Sequence, residues 1–255
     1  MLWILLHNTW AQQTALIPAG SFLRGSGRSP DDSPQHSVQL SAFQIDLYEV
    51  SIAEFELFVQ QGWTEDKNWS PEGLRWRKRN PQGAGKSNRA ASRSNNHPVV
   101  AVSWFEAEAY CRFKGGSLPT EAQWERAACA KKESRFPWGE SEDVQAAWYS
   151  GGKYGHLQSV LTKPSKQAPP EQKTVNGLAH TVGNVWEWTA DWYHRESYQQ
   201  KETPNPKGPS SGTWKTLRGG SFMNLPSYCS CTHREPARPD RSSFTIGFRC
   251  VYSTP

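Results

Sequence analysis

The sequence predicts an α+β fold in which irregular coil outweighs helix and strand. Three observations lead there. Twenty glycines and eighteen prolines are spread along the 255 residues, so turns recur at short intervals and regular segments stay short. Thirteen tryptophans stand against two methionines in a chain that is only 36% hydrophobic. A core of this kind is filled by a few large rings, and each buried indole needs a partner for its N–H. Strand-like alternation near both ends brackets helix-start signatures in the middle. No internal period and no Pro- or Ser-rich linker divides the chain, so residues 15–255 read as one domain.

Ala15 to Ser26 (ALIPAGSFLRGS) reads as a strand, a Pro-Ala-Gly turn and a second short strand. Val38, Leu40 and Phe43, then Ile45 and Leu47, predict further strands. Ser51 caps a helix whose buried side carries Phe55, Leu57, Phe58 and Val59. Gly62 to Asn96 is polar, with Trp63, Trp69 and Trp76 set among charges and glycines, and reads as a surface excursion pinned by its indoles. His97 to Gly115 predicts a buried strand and then a helix capped by Ser103, with Glu106 at the spacing of a capping box. Thr120 and Gln123 repeat that device. A weakly structured stretch follows Phe136 to Glu140 and runs to Lys173, and the closing piece, IGFRCVY, alternates as a strand does.

The net charge is +5, with basic residues collected in Arg75 to Arg89 and Thr232 to Arg241. No cationic helix face, zinc-finger spacing or RNA-binding aromatic motif accompanies them, so both read as solvated loops and nucleic acid is not an expected partner. Residues 1–14 open with an apolar run, Leu2 to Leu6, before Thr9-Trp10-Ala11, which has the look of the end of a secretory signal. The expectation is an exported protein, periplasmic or secreted. No other stretch is long and apolar enough to span a bilayer, so no membrane contact is expected of the mature form.

A set of motifs accumulates in one order. PAGSF (Pro18 to Phe22), DLYEVS (Asp46 to Ser51) and HPVVAVSW (His97 to Trp104) come first. LPTEAQWERAA (Leu118 to Ala128), FPWG, GNVWEWTADW (Gly183 to Trp192), LRGGSF (Leu217 to Phe222) and GFRC (Gly247 to Cys250) follow. Together, over nearly the whole chain after residue 15, they resemble the formylglycine-generating enzyme, or sulfatase-modifying factor, family. The resemblance implies a variant of the C-type lectin fold with little regular structure. It also implies, for members that are enzymes, oxidation of a cysteine in an unfolded sulfatase to formylglycine, with oxygen and a copper(I) held by two cysteines. Relatives of the same fold build sulfoxides with iron, mature a siderophore chromophore or only bind, so the fold does not settle the function.

The resemblance implies two disulfides, Cys111 with Cys250 and Cys129 with Cys231; reduced core cysteines are the alternative. Cys229 is then the odd sulfur. It closes GGSFMNLPSYC (Gly219 to Cys229), the counterpart of the copper segment, where Ser221 matches the active-site serine and Asn224 occupies the first cysteine position. One thiolate and an amide oxygen suit Cu(I) poorly, so Cys229 is a copper candidate without its partner ligand. Beside His233 and an exposed Arg234 it would be a reactive thiol; the alternatives are an inert buried thiol or an intermolecular disulfide. Trp186 and Arg234 complete the substrate groove that the resemblance implies. Glu187 and Gly183 match two calcium ligands, with His180 where the pattern carries Asn or Asp. A second calcium site, after Asp143, lacks its asparagine and carboxylate. No cofactor is assigned beyond calcium at that one place.

Two functions remain open. One is an oxidase acting on a thiol or aromatic group of a peptide lying along Ser221, Trp186, Arg234 and Cys229. The other is a non-catalytic binding or accessory domain that kept the frame and lost the copper pair. Both take a peptide or protein partner.

Overall fold

The structure, a computed structural model, describes residues 13–83, 95–129, 134–140, 174, 176–199 and 203–254. The expected leader lies outside the described residues as far as residue 12, and Thr14 already opens the first strand. The weakly structured stretch to Lys173 and the second calcium segment also lie outside them.

Three sheets form. The first is antiparallel and joins β1 (Thr14–Ile17), β4 (Phe43–Asp46) and the C-terminal β9 (Val251–Ser253), so the two ends of the described chain meet on β4. Phe43 and Ile45 point inward and alternate with half-buried Gln44 and Asp46, the period-2 pattern the sequence shows. β2 (Gly20–Arg24) and β3 (His36–Leu40) form a separate antiparallel pair. The third sheet is mixed, in the order β7 (Arg234–Ala237), β6 (Lys215–Arg218), β5 (Trp186–Trp192), β8 (Ile246–Gly247), with β5 and β8 parallel. Trp186 to Thr189 of β5 are all buried. A strand covered on both faces shows no alternation, which is why this segment carries no strand signature in the sequence.

Ser51, Ser103 and Thr120 each close the capping box expected of them. They start α1 (Ile52–Gln61), α3 (Trp104–Phe113) and α4 (Glu121–Ala128). Each such cap is worth about 1 kcal/mol. The expected surface excursion is corrected. Its centre is a helix, α2 (Pro71–Arg79), with Ser70 as N-cap, Pro71 in the first turn and Arg77, Lys78 and Arg79 in the last. Proline at the first helical position and basic residues at the end suit the helix dipole, and buried Trp76 anchors it. The expected strand before α3 is also corrected. Val99 to Val102 are buried, but Ala101 adopts φ 57°. Val99 N–H bonds Val50 and Ala101 N–H bonds Ser243, so the segment threads between loops rather than joining a ladder.

One apolar cluster packs α1, α2 and α3 against β5 and Phe248, with Phe55, Phe58, Trp69, Trp76, Tyr110 and Trp188 at its centre. A second gathers Ile17, Val38, Leu40, Phe43, Ile45 and Val251 under α4. Three buried indoles find the partners they need: Trp69 donates to Trp63 O at 2.9 Å, Trp104 to Thr189 O at 2.8 Å and Trp188 to Val102 O at 3.1 Å. Cys111 and Cys250 are bonded, tying α3 to the entry of β9. The second expected bridge is not closed. Cys129 and Cys231 are free thiols that stand in hydrogen-bonding contact. No described helix is long and apolar enough to cross a membrane.

Candidate functional site

A hollow of about 290 Å³ opens at the edge of the third sheet. Trp186 of β5, Leu217 of β6 and Ile246 of β8 form its floor, with Ser221, Asn224 and Tyr228 on one wall and Phe244 on the other. Glu235 and Arg241 also line it. Met223, Tyr228 and Phe244 of its lining are exposed, so the rim is apolar, whereas solvated loops are usually polar.

The wall is shaped by two glycines. Gly219 and Gly220 take φ of 91° and 76°, a conformation glycine adopts without strain. A Cβ on Gly219 would lie 2.8 Å from Thr181 O, and one on Gly220 would lie 2.4 Å from the Cys229 sulfur. The double turn swings Ser221 off the end of β6 and lets the following loop fold back. There Asn224 is fixed by Ser221: its Oδ1 accepts from the Ser221 hydroxyl at 2.5 Å and from the Ser221 N–H at 3.1 Å. The residue at the first copper-cysteine position is therefore a turn-forming amide whose oxygen is already engaged.

Cys229 is not part of the hollow. It is fully buried among Phe136 and Val182, and its sulfur donates to Ser221 O at 3.7 Å. Burial pushes its thiol up to about 12, opposed only by that one hydrogen bond. A neutral thiol of this kind is a weak nucleophile. The charges expected beside it face elsewhere. A buried thiol pointing inward and a committed amide oxygen do not make a two-donor Cu(I) site.

The exposed Arg234 of the sequence reading is corrected. Its side chain is fully buried; Nε and Nη2 bond both oxygens of Glu121 at 2.7 and 3.0 Å, and Nη1 bonds Asp31 at 3.0 Å. Glu121, the first residue of α4, also takes Arg24 and Arg218. Burial alone would raise its carboxyl, but the guanidiniums of Arg234, Arg24 and Arg218 win and hold it at about 2. Arg218 reaches Glu125 as well, which Tyr198 also contacts. This ion hub was missed in the sequence, where Glu121 looks like an ordinary first-turn acid. The basic run 232–241 forms no patch, since Arg234 is inside and Arg238 pairs with Asp240.

Trp186 and Ser221 are thus brought together, and Arg234 and Cys229 are not. Glu187 sits behind Trp186, fully buried, with Arg249 forked across both its oxygens at 2.7 Å and the Trp124 indole on Oε2 at 2.8 Å. His180 reaches φ 55° and Gly183 φ 78°. With Glu187 neutralised by a guanidinium and imidazole at His180, this donor set does not fit calcium, which needs several free hard oxygens. Among the described residues no group of three or more His, Cys, Asp or Glu is placed to hold a metal. Next to the sheet, Lys215 lies between Trp104 and Trp192, 3.9 Å from each ring centre, and burial pulls its amine down to about 8.

Comparison with known proteins agrees with this frame. Residues 7–254 match the sulfatase-modifying factor enzyme 1-like domain. The chain is similar to the formylglycine-generating enzyme of Mus musculus, 35% identical with 92% of this chain and 73% of the mouse protein covered. It is 33% identical to that of Streptomyces coelicolor, covering 92% of this chain and 87% of the other. Among solved structures, PvdO from Pseudomonas aeruginosa superposes with a TM-score of 0.74 at 22% identity over 93% of both chains. Treponema denticola variable protein 1 gives 0.71 at 22% over 94% of both. Both show the same fold, the formylglycine-generating-enzyme type of C-type lectin fold. The chain belongs to the sulfatase-modifying factor family.

Proposed function

We propose that this chain is a polypeptide-binding member of its family that does not carry out the two-thiolate copper oxidation. The observation that carries the reading is Asn224, whose amide oxygen is bound to Ser221 where the first sulfur would stand, while Cys229 faces the core. What is retained is a recognition surface. Trp186 and Ser221 border a hollow whose rim of Met223, Tyr228 and Phe244 suits an apolar side chain, and Glu235 and Arg241 offer charges to the backbone or flanks of a bound segment. Similarity to formylglycine-generating enzymes supports a peptide or protein as the partner.

The test incubates the protein with Cu(I), oxygen and a CxPxR peptide, read by mass spectrometry for an aldehyde product and by titration for bound copper. The reading expects no product and no copper that depends on Cys229. Turnover would restore the oxidase. Peptide binding itself is measured by fluorescence anisotropy, with loss expected in Met223→Ser/Phe244→Ser and retention in Cys229→Ala.

We further propose that the protein is exported, on the strength of the Cys111–Cys250 disulfide, a bond that persists in oxidising compartments. Fractionation of the native host decides it.

A further inference from the structure

A second and larger hollow, about 460 Å³, lies on the other side of the 227–234 segment. It lies apart from the apolar rim and borders the ion hub, whose Arg234 and Asp31 are in its lining. Its composition differs from that of most small-ligand pockets, which are largely apolar with a few polar groups. Among the described residues no aliphatic side chain lines it, and histidine is the only ring.

Its charges balance and are already matched. Arg28 and Glu140 pair at 3.1 Å, and Asp31 Oδ1 receives Arg234 at 3.0 Å and the Tyr193 hydroxyl at 2.9 Å. Asp32 takes the hydroxyls of Ser26 and Thr232 at 2.6 and 2.7 Å. A charged ligand would have to displace one of these pairs. What remains unengaged among the described residues is a set of neutral-ligand contacts: Oδ2 of Asp31 as acceptor, the Ser227 hydroxyl and the donor side of Ser230. A hydroxyl group donates to a carboxylate and accepts from a guanidinium at once, so adjacent hydroxyls bridge such an alternating wall without breaking its ion pairs. An apolar ligand would leave these polar groups unpaired, which costs free energy.

We propose that this hollow is a binding site for a neutral polyhydroxylated ligand, a saccharide or a free polyol, held by Asp31, Ser227, Ser230 and the Arg28–Glu140 pair. The site stands independently of the peptide reading, because it shares no side chain with the apolar hollow.

The experiment is saturation-transfer NMR on the full chain with methyl hexopyranosides, myo-inositol and glycylglycine as separate probes. Arg28 and Glu140 are half exposed or more, so Arg28→Ala/Glu140→Gln, and separately Ser227→Ala, leave the fold intact. Transfer to ring protons at millimolar affinity is expected, weakened roughly tenfold in the double variant because hydrogen bonds to charged groups are lost. Preference for the glycosides over myo-inositol identifies a saccharide site, and the reverse identifies a polyol site. Transfer to glycylglycine alone, transfer unchanged in both variants, or no transfer to any probe overturns the proposal.

Discussion

Arg234 shows how far one side chain can depart from its neighbours' character. It sits in a run of basic residues that looks solvated, yet its guanidinium is sealed between Glu121 and Asp31. Removing one partner of a buried pair leaves the other charge uncompensated, which costs about 3–5 kcal/mol. Arg234→Ala is therefore expected to lose that much in urea unfolding, and a loss below about 1 kcal/mol would return the residue to the surface. Asn224 departs in the opposite way. In the sequence it is only the residue at the first copper-cysteine position; the fold makes it a turn amide whose oxygen is already spent on Ser221.

At the scale of elements, the loop after β6 depends on the Gly219-Gly220 turn. Gly220→Ala would place a methyl 2.4 Å from the Cys229 sulfur and 2.9 Å from its backbone in a left-handed conformation. The loop must then move, carrying Ser221, Asn224 and Tyr228 with it. The expected result is a lower Tm together with loss of peptide binding, whereas Gly27→Ala, which meets no atom within 4 Å, should cost only its backbone strain and leave binding intact. Equal effects of the two substitutions would show that the turn does not shape the site. Helix α2 carries a related lesson. Its cap, Ser70-Pro71, was present in the sequence, but nine residues averaging strongly polar hid a helix that a single buried face, Trp76, holds down.

Over the whole molecule, buried carboxyls set the response to pH. Burial raises Asp46 from 3.8 to about 7, and burial with the Glu121 charge does the same for Asp191. The folded state then holds protons that the unfolded chain releases, so this stability is complete below 3.8 and is lost as pH rises through about 7. Glu121 acts oppositely; its contribution is present above 4.5 and is lost as pH falls through about 2. Thermal stability should therefore decline from mildly acidic pH towards 7. Asp46→Asn should flatten that decline, and an unchanged slope would remove Asp46 from the account.

The sulfurs give a second global readout. Cys129 and Cys231 touch while Cys229 lies among Phe136 and Val182. A mild oxidant should thus reduce three titratable thiols to one after unfolding, and peptide mapping should find the survivor at Cys229. A Cys229–Cys231 bond would contradict the arrangement.

By itself the sequence determined the family frame, the three capped helices and the alternating strands β3 and β4. Each of these rests on local chemistry: a cap hydroxyl, a period of two, or a motif whose residues stand close together. Tertiary structure alone decided which charges are inside and where each side chain of the proposed site faces. Burial of Arg234, the inward turn of Cys229 and the doubly covered β5 arise from contacts between segments far apart in the chain, such as Arg234 with Asp31 and Glu121. No local pattern records a partner that lies a hundred residues or more away.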